Sequence, residues 1–181
     1  MHRIEAYVTF ALIVFAAMSV LYLPILFFLK KRGKGVIRQC SYVALFWSSF
    51  LILFATIFFT WPITFSPEHH FLNLVPFQWL QEVNVRREFV EFVVPNIMMF
   101  VPFGFFMPTA FQGMRKFYKT ACAAFLFSFC VEFVQYFIGR SSNIDDLITN
   151  SLGGIIGYGI FRMFHQIFQN KMCWNKFIGR G

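Results

Sequence analysis

The sequence predicts an all-α fold, an integral membrane bundle of about five transmembrane helices. Three observations predict it. Of the 181 residues, 58% are hydrophobic, 13% are charged and 29 are phenylalanine, more apolar bulk than a soluble domain of this size has interior to hold. The apolar residues fall in runs near the ~20 residues that a helix needs to cross hydrocarbon. Basic and acidic residues segregate to alternate connections between those runs.

The first span, Tyr7–Leu29, has a weakly basic flank (Arg3, offset by Glu5), a long core and no small-residue cleavage site. It reads as a retained helix rather than a cleaved signal, with Pro24 bending its inner end. Gln39–Thr60, Phe92–Phe111, Thr120–Gly139 and Leu147–Phe168 follow. The third is punctuated by Pro95, Pro102 and Pro108, tolerable where neighbouring helices satisfy the freed carbonyls. The chain reads as one unit without internal repeats: two helices in residues 1–72, three in 73–168 and a basic tail over 169–181. The longest connection, Trp61 to Glu91, has an apolar middle (Phe71 to Trp79) that predicts an interfacial or folded-back segment. Trp174 and Phe177, beside basic residues, predict an interfacial tail.

Charge asymmetry sets the expected orientation. Lys30, Lys31, Arg32, Lys34 and Arg38 separate spans one and two; Arg115, Lys116 and Lys119 separate three and four; Lys171, Lys176 and Arg180 follow span five. The positive-inside rule then places the N-terminus outside and the C-terminus in the cytoplasm. Glu5, Glu68, Glu82, Glu88, Glu91, Asp145 and Asp146 all fall on the expected outer side, with Glu132 in the outer half of span four. The net charge of +8 is therefore a statement about basic loops beside anionic membrane lipids, and a nucleic-acid partner is excluded. Cys40, Cys122, Cys130 and Cys173 lie at inner helix ends or within the membrane, so no disulfide framework is expected. No zinc spacing occurs, His69-His70 has no carboxylate or cysteine at ligand spacing, and no nucleophile or phosphate-loop motif is present. No cofactor or metal is expected.

Against this apolar background, Glu132, Gln135, Arg140, Asp145, Asp146 and Asn150 crowd a short stretch of chain. An ionised group at the bilayer centre costs roughly 3 kcal/mol on insertion scales, so such groups read as functional. Ser128, Glu132, Gln135 and Gly139 share one face of span four, and Asp146, Asn150, Gly153 and Gly157 one face of span five. Asn96, Gln135 and Asn150 lie roughly 6 Å below the outer helix ends, and Glu132 about 10 Å. Polar groups from three helices at matching depth predict a pocket open to the outside. Asp145 and Asp146 are equally well placed as caps or dipole partners of span five. An interhelical hydrogen-bond network alone accounts for Asn96, Gln135 and Asn150, but Glu132 wants a partner, expected from Arg140, Arg86 or Arg87.

Asn73-Leu-Val-Pro-Phe77, Asn96-Ile-Met-Met-Phe-Val-Pro-Phe-Gly104, Glu132-Phe-Val-Gln135 and Arg140-x4-Asp145-Asp146-x3-Asn150-x2-Gly-Gly154-x2-Gly157 resemble the VanZ-like membrane proteins. The resemblance runs from about residue 73 to 159, and it is the order and spacing together that are specific. It implies a small polytopic protein of the bacterial cytoplasmic membrane, in a family whose namesake is associated with resistance to the glycopeptide teicoplanin. It implies no reaction.

Two functional readings follow. In the first, Asn96, Glu132, Gln135, Arg140, Asp145, Asp146 and Asn150 hold a lipid headgroup, a lipid-linked cell-wall precursor or a glycopeptide, with Arg140 pairing phosphate or carboxylate. In the second, Glu132 is the acid or base of a membrane-embedded transferase or hydrolase, with Asp145 or Asp146 as partner. A transporter is disfavoured by the lack of inverted repeats and of polar residues in the inner halves of the helices. Nothing in the sequence specifies an oligomeric state.

Overall fold

The computed structural model describes residues 35–58, 72–81, 83–138 and 141–180, and 16, 18–20, 22–28, 30, 31 and 33 before them. Helical residues at 18–20 and 22–28 fall in the first expected span, most of whose N-terminal half lies outside the described residues. Three helices are long and apolar enough to cross a membrane: α1, Val36–Ile57; α2, Val85–Ala110; and α3, Phe117–Phe137. The next helix, α4 (Ile144–Phe168), has 25 residues, enough length to span. A short α5, Met172–Ile178, closes on Gly179 in the left-handed conformation at φ +75°. The protein is an all-α membrane bundle.

Helix α2 begins at Val85, ahead of the expected Phe92. Asn84 caps it, its side chain accepting from the Arg87 N–H at 3.2 Å. Pro95 cannot donate back along the helix, and the ladder widens just before it, with the Val94 N–H reaching the Phe89 carbonyl five residues back. The wide turn lets the helix run through the proline instead of starting after it. Arg86, Arg87, Glu88 and Glu91 thus stand on helical turns, where Arg87 Nε pairs with Glu91 Oε1 at 2.9 Å.

Glycines decide how α2 and α4 meet. A Cβ on Gly153 would lie 2.9 Å from Phe100 Cβ, one on Gly157 2.8 Å from the Phe105 nitrogen, and one on Gly104 2.7 Å from Gly154 Cα. Backbone therefore rides on backbone along this crossing, the close approach that small-residue stripes permit in membranes. On its other side Gly154 faces Ala124 of α3. Ile52, Phe100, Phe103, Ala124 and Val131 form the buried core of α1, α2 and α3, and Phe103 stacks on Phe127 with centroids 4.9 Å apart. Phe129, Phe133 and Phe137 are exposed along α3, as a lipid-facing surface requires. A second cluster, Tyr158, Phe161 and Ile178 with Trp174 and Phe177, folds α5 back against the bundle.

One end of the bundle, where α1 and α3 finish and α2 and α4 begin, is closed by a folded-back segment. Leu72–Asn73 (β1) pairs in parallel with Ser142–Asn143 (β2), Leu72 opposite Ser142 and Asn73 opposite Asn143. This polar end carries every described carboxylate. The opposite end, which includes α5, is basic.

Candidate functional site

The polar end is built around the start of α4. Asn143 is its N-cap, accepting from the Asp145 N–H at 3.0 Å, and this capping holds β2 in register with β1. Asp145, 6% exposed, points away from its own helix. Its two carboxylate oxygens accept from the Phe77 and Gln78 N–H groups at 2.6 and 3.1 Å. Those donors converge because Phe77 turns the chain at φ +59°, a left-handed conformation that costs a non-glycine residue about 1–2 kcal/mol and is held here by the carboxylate. Asn73 supports the same turn: its side-chain oxygen accepts from the Val75 N–H at 3.1 Å and its Nδ2 donates to Gln78 Oε1. The apolar connection does fold back over the bundle in its described part, and Asp145 is its anchor.

Glu132, five residues before the end of α3, is 6% exposed and faces inward. Its Oε2 accepts from the Ser142 hydroxyl and from the Asn143 N–H, each at 3.1 Å. Arg87, an expected partner for it, is engaged by Glu91. Arg140, together with Gly139, His69 and His70, lies outside the described residues.

The remaining expected residues separate into interhelical pairs. Asn96 Nδ2 donates to Asp146 Oδ1 at 2.7 Å, joining α2 to α4. Asn150 Nδ2 donates to Ser128 Oγ at 3.0 Å, joining α4 to α3 at a position 2% exposed. Gln135 Nε2 donates to the Thr56 carbonyl at 3.1 Å, joining α3 to the last turn of α1. Asn150 and Gln135 thus sit in the helix packing beneath the surface of the polar end.

Two concavities open on this end. A polar cleft of about 310 Å³ is bounded by Gln78, Trp79, Glu88, Phe92, Val93, Ser141, Asn143, Asp145, Asp146 and Thr149. An apolar groove of about 400 Å³ runs beside it along α3, between Leu72, Leu74, Phe129, Phe133, Tyr136, Phe137, Ile144 and Leu147, with Glu132, Ser142 and Asn143 as its polar members. Asn143 borders both, so the β1–β2 pair is the partition between them. Of the seven expected site residues, Asp145 and Asp146 face the cleft, Glu132 faces the groove, and Asn96 steadies Asp146 from behind.

Residues 44–165 match the VanZ/LLP1 family. The chain belongs to this family. Among curated proteins, Protein VanZ of Enterococcus faecium is 28% identical over 108 residues, which is 59% of this chain and 62% of that protein. The aligned part therefore spans less than two thirds of that relative's length. No solved structure gives a significant match. The VanZ-like region begins inside α1, well before the Asn73 motif, and takes in all of α2 and α3 and most of α4.

In this VanZ-like fold the sequence reading missed Ser142 and Asn143, which donate hydrogen bonds to Glu132, and Gln78, which faces the cleft. Asn143 carried a usable signal, a capping residue directly before a helix whose first turn is acidic. Ser142 carried none, because its pairing depends on α3 and β2 meeting in space.

Proposed function

We propose that this VanZ-like protein binds an amphipathic cell-envelope molecule at its polar end, the headgroup in the cleft and the chain in the groove. The observation that carries this is the placement of Asn143 between a polar and an apolar concavity. A single amphiphile lying across the β1–β2 partition uses both. Glu88, Asp145 and Asp146 give the cleft acceptors, and Gln78, Ser141 and Thr149 supply amide and hydroxyl groups, a set suited to sugar hydroxyls and amines. A lipid-linked peptidoglycan precursor has that chemistry, and so does a glycopeptide carrying sugars and an acyl chain. By the positive-inside rule the polar end faces the cell exterior, where both are met. The link of the family's namesake to teicoplanin resistance supports the reading.

The test is binding of lipid II and of teicoplanin to the full chain in nanodiscs, comparing wild type with Asp146→Asn and Glu132→Gln. Loss of a hydrogen bond to a charged group weakens binding by roughly tenfold or more. Equal binding by all three proteins sinks the proposal. In cells, a deletion strain challenged with cell-wall antibiotics should be rescued by wild type and not by Glu132→Ala.

A second reading is favoured by one contact, the Ser142 hydroxyl donating to buried Glu132 at 3.1 Å with both residues on the groove. A serine beside a carboxylate base is the start of a nucleophilic pair for acyl or phosphoryl transfer on a lipid-linked substrate. Asp145 and Asp146 bond the 77–78 amides and Asn96 and line the cleft rather than the groove. Turnover of envelope lipids by wild type that is abolished in both Ser142→Ala and Glu132→Gln favours this reading; inactivity of the wild type across such lipids retires it.

A further inference from the structure

The basic end carries a larger concavity, about 970 Å³, between the start of α1 and the end of α2. Arg38, Tyr42, Gln112, Gly113 and Lys176 are among its walls. Arg38 is 8% exposed and gathers main-chain oxygens: its Nη1 donates to Thr109 O at 2.5 Å and Phe177 O at 3.0 Å, and its Nη2 to Ala110 O and to Tyr42 OH at 3.2 Å. Arg115 donates to Ile178 O and Gln112 to Gly179 O. These acceptors satisfy hydrogen bonds but carry no formal charge. Among the described residues no carboxylate side chain meets the charges of Arg38, Arg115, Lys176 and Arg180, because Glu88, Glu91, Glu132, Asp145 and Asp146 all belong to the polar end. Burial, followed by the charges of Arg180 and Arg38, lowers the pKa of the Arg115 guanidinium. The first turn of α1 adds N–H groups that lack intrahelical acceptors, its cap, Gly35, has no side chain to offer them one, and the turn has no acidic residue. Gly35 and Gly113 leave open space where a side chain would begin.

We propose that this concavity is a phosphate-binding site that takes the headgroup of an anionic phospholipid from the leaflet at the basic end. A phosphate supplies the missing negative charge and accepts from Lys176 and the first turn of α1. Val36, Ile37, Phe111 and Met114 make the rest of the wall apolar, as the boundary between headgroup and chain requires. Basic pockets among membrane helices hold such headgroups on general electrostatic grounds. The site is separate from the polar end and stands independently of the function assigned there.

The test uses the full chain purified in neutral detergent, with native mass spectrometry counting retained lipid and thermal unfolding following added phosphatidylglycerol, phosphatidylcholine or inorganic phosphate. Phosphatidylglycerol should be retained at one per chain and raise Tm, and phosphatidylcholine should do neither. A rise of the same size with inorganic phosphate alone overturns the lipid assignment and identifies a soluble anion as occupant. Lys176→Gln, which removes an exposed charge, should weaken phosphatidylglycerol about fivefold, and Gly113→Asp should weaken it at least as much. Equal effects of the two lipids, or unchanged affinity in both variants with folding intact, overturn the site.

Discussion

Asn96 Nδ2 stands 2.7 Å from Asp146 Oδ1, a polar bond fastening α2 to α4 just above the glycine crossing. Two helices in glycine contact slide easily along one another unless a directional bond fixes their register. The pair also holds the Asp146 carboxylate at the edge of the polar cleft.

A double-mutant cycle measures that bond. Asn96→Ala and Asp146→Ala should each destabilise the protein in micelles by about 1 kcal/mol, and the double variant by less than the sum, since interhelical bonds of this kind average ~0.6 kcal/mol of coupling. Strict additivity in unfolding titrations would show that the two side chains do not act on one another.

The glycine crossing makes a sharper prediction. Gly157→Ala forces a Cβ to 2.8 Å from the Phe105 nitrogen, so the helices must separate, at a cost of about 1–3 kcal/mol. Gly159→Ala, two residues on, meets no atom within 4 Å and should be neutral or stabilising by up to ~1 kcal/mol from helix propensity. Unfolding midpoints of the two variants in the same detergent separate these outcomes.

Asp145 should control the order of the folded-back segment. Asp145→Ala leaves the Phe77 and Gln78 N–H groups without their acceptors, so amide exchange at 77 and 78 should accelerate by tenfold or more. Exchange in α3 should stay unchanged, because none of its residues bonds to the Asp145 side chain. Uniform acceleration across the protein would mean that Asp145 stabilises the whole fold rather than the segment.

At the basic end, Arg38→Ala frees the carbonyls of Thr109, Ala110 and Phe177 and releases α5. Trypsin should then cut at Lys171 and Lys176 several-fold faster in membranes. A cleavage rate equal to that of wild type would place the attachment of α5 in the Trp174, Phe177 and Ile178 packing alone.

Glu132 separates what was legible from what was not. Its cost in an apolar helix marked it as important, and the 3.6-residue period placed it on the same face of α3 as Ser128 and Gln135. Neither feature named its partners. Periodicity fixes a residue's depth and its angle about one helix, whereas a hydrogen bond also needs the rotation of the neighbouring helix. Gln135 and Asn150 illustrate this: at equal expected depth, one reaches Thr56 of α1 and the other Ser128 of α3. The start of α2 was hidden for a local reason, the wide turn that carries the helix past Pro95.

Sequence alone determined the membrane class, the helical hairpin order, the split into an acidic and a basic end, and the residues too polar for lipid, because transfer cost and rise per residue are properties of single segments. Tertiary structure decided that the carboxylates serve different masters, Asp145 the 77–78 turn, Asp146 Asn96, and Glu132 the Ser142–Asn143 strand. The reason is distance along the chain: Asp145 and Phe77 are 68 residues apart, and only the packed glycine crossing and the β1–β2 pair bring them together.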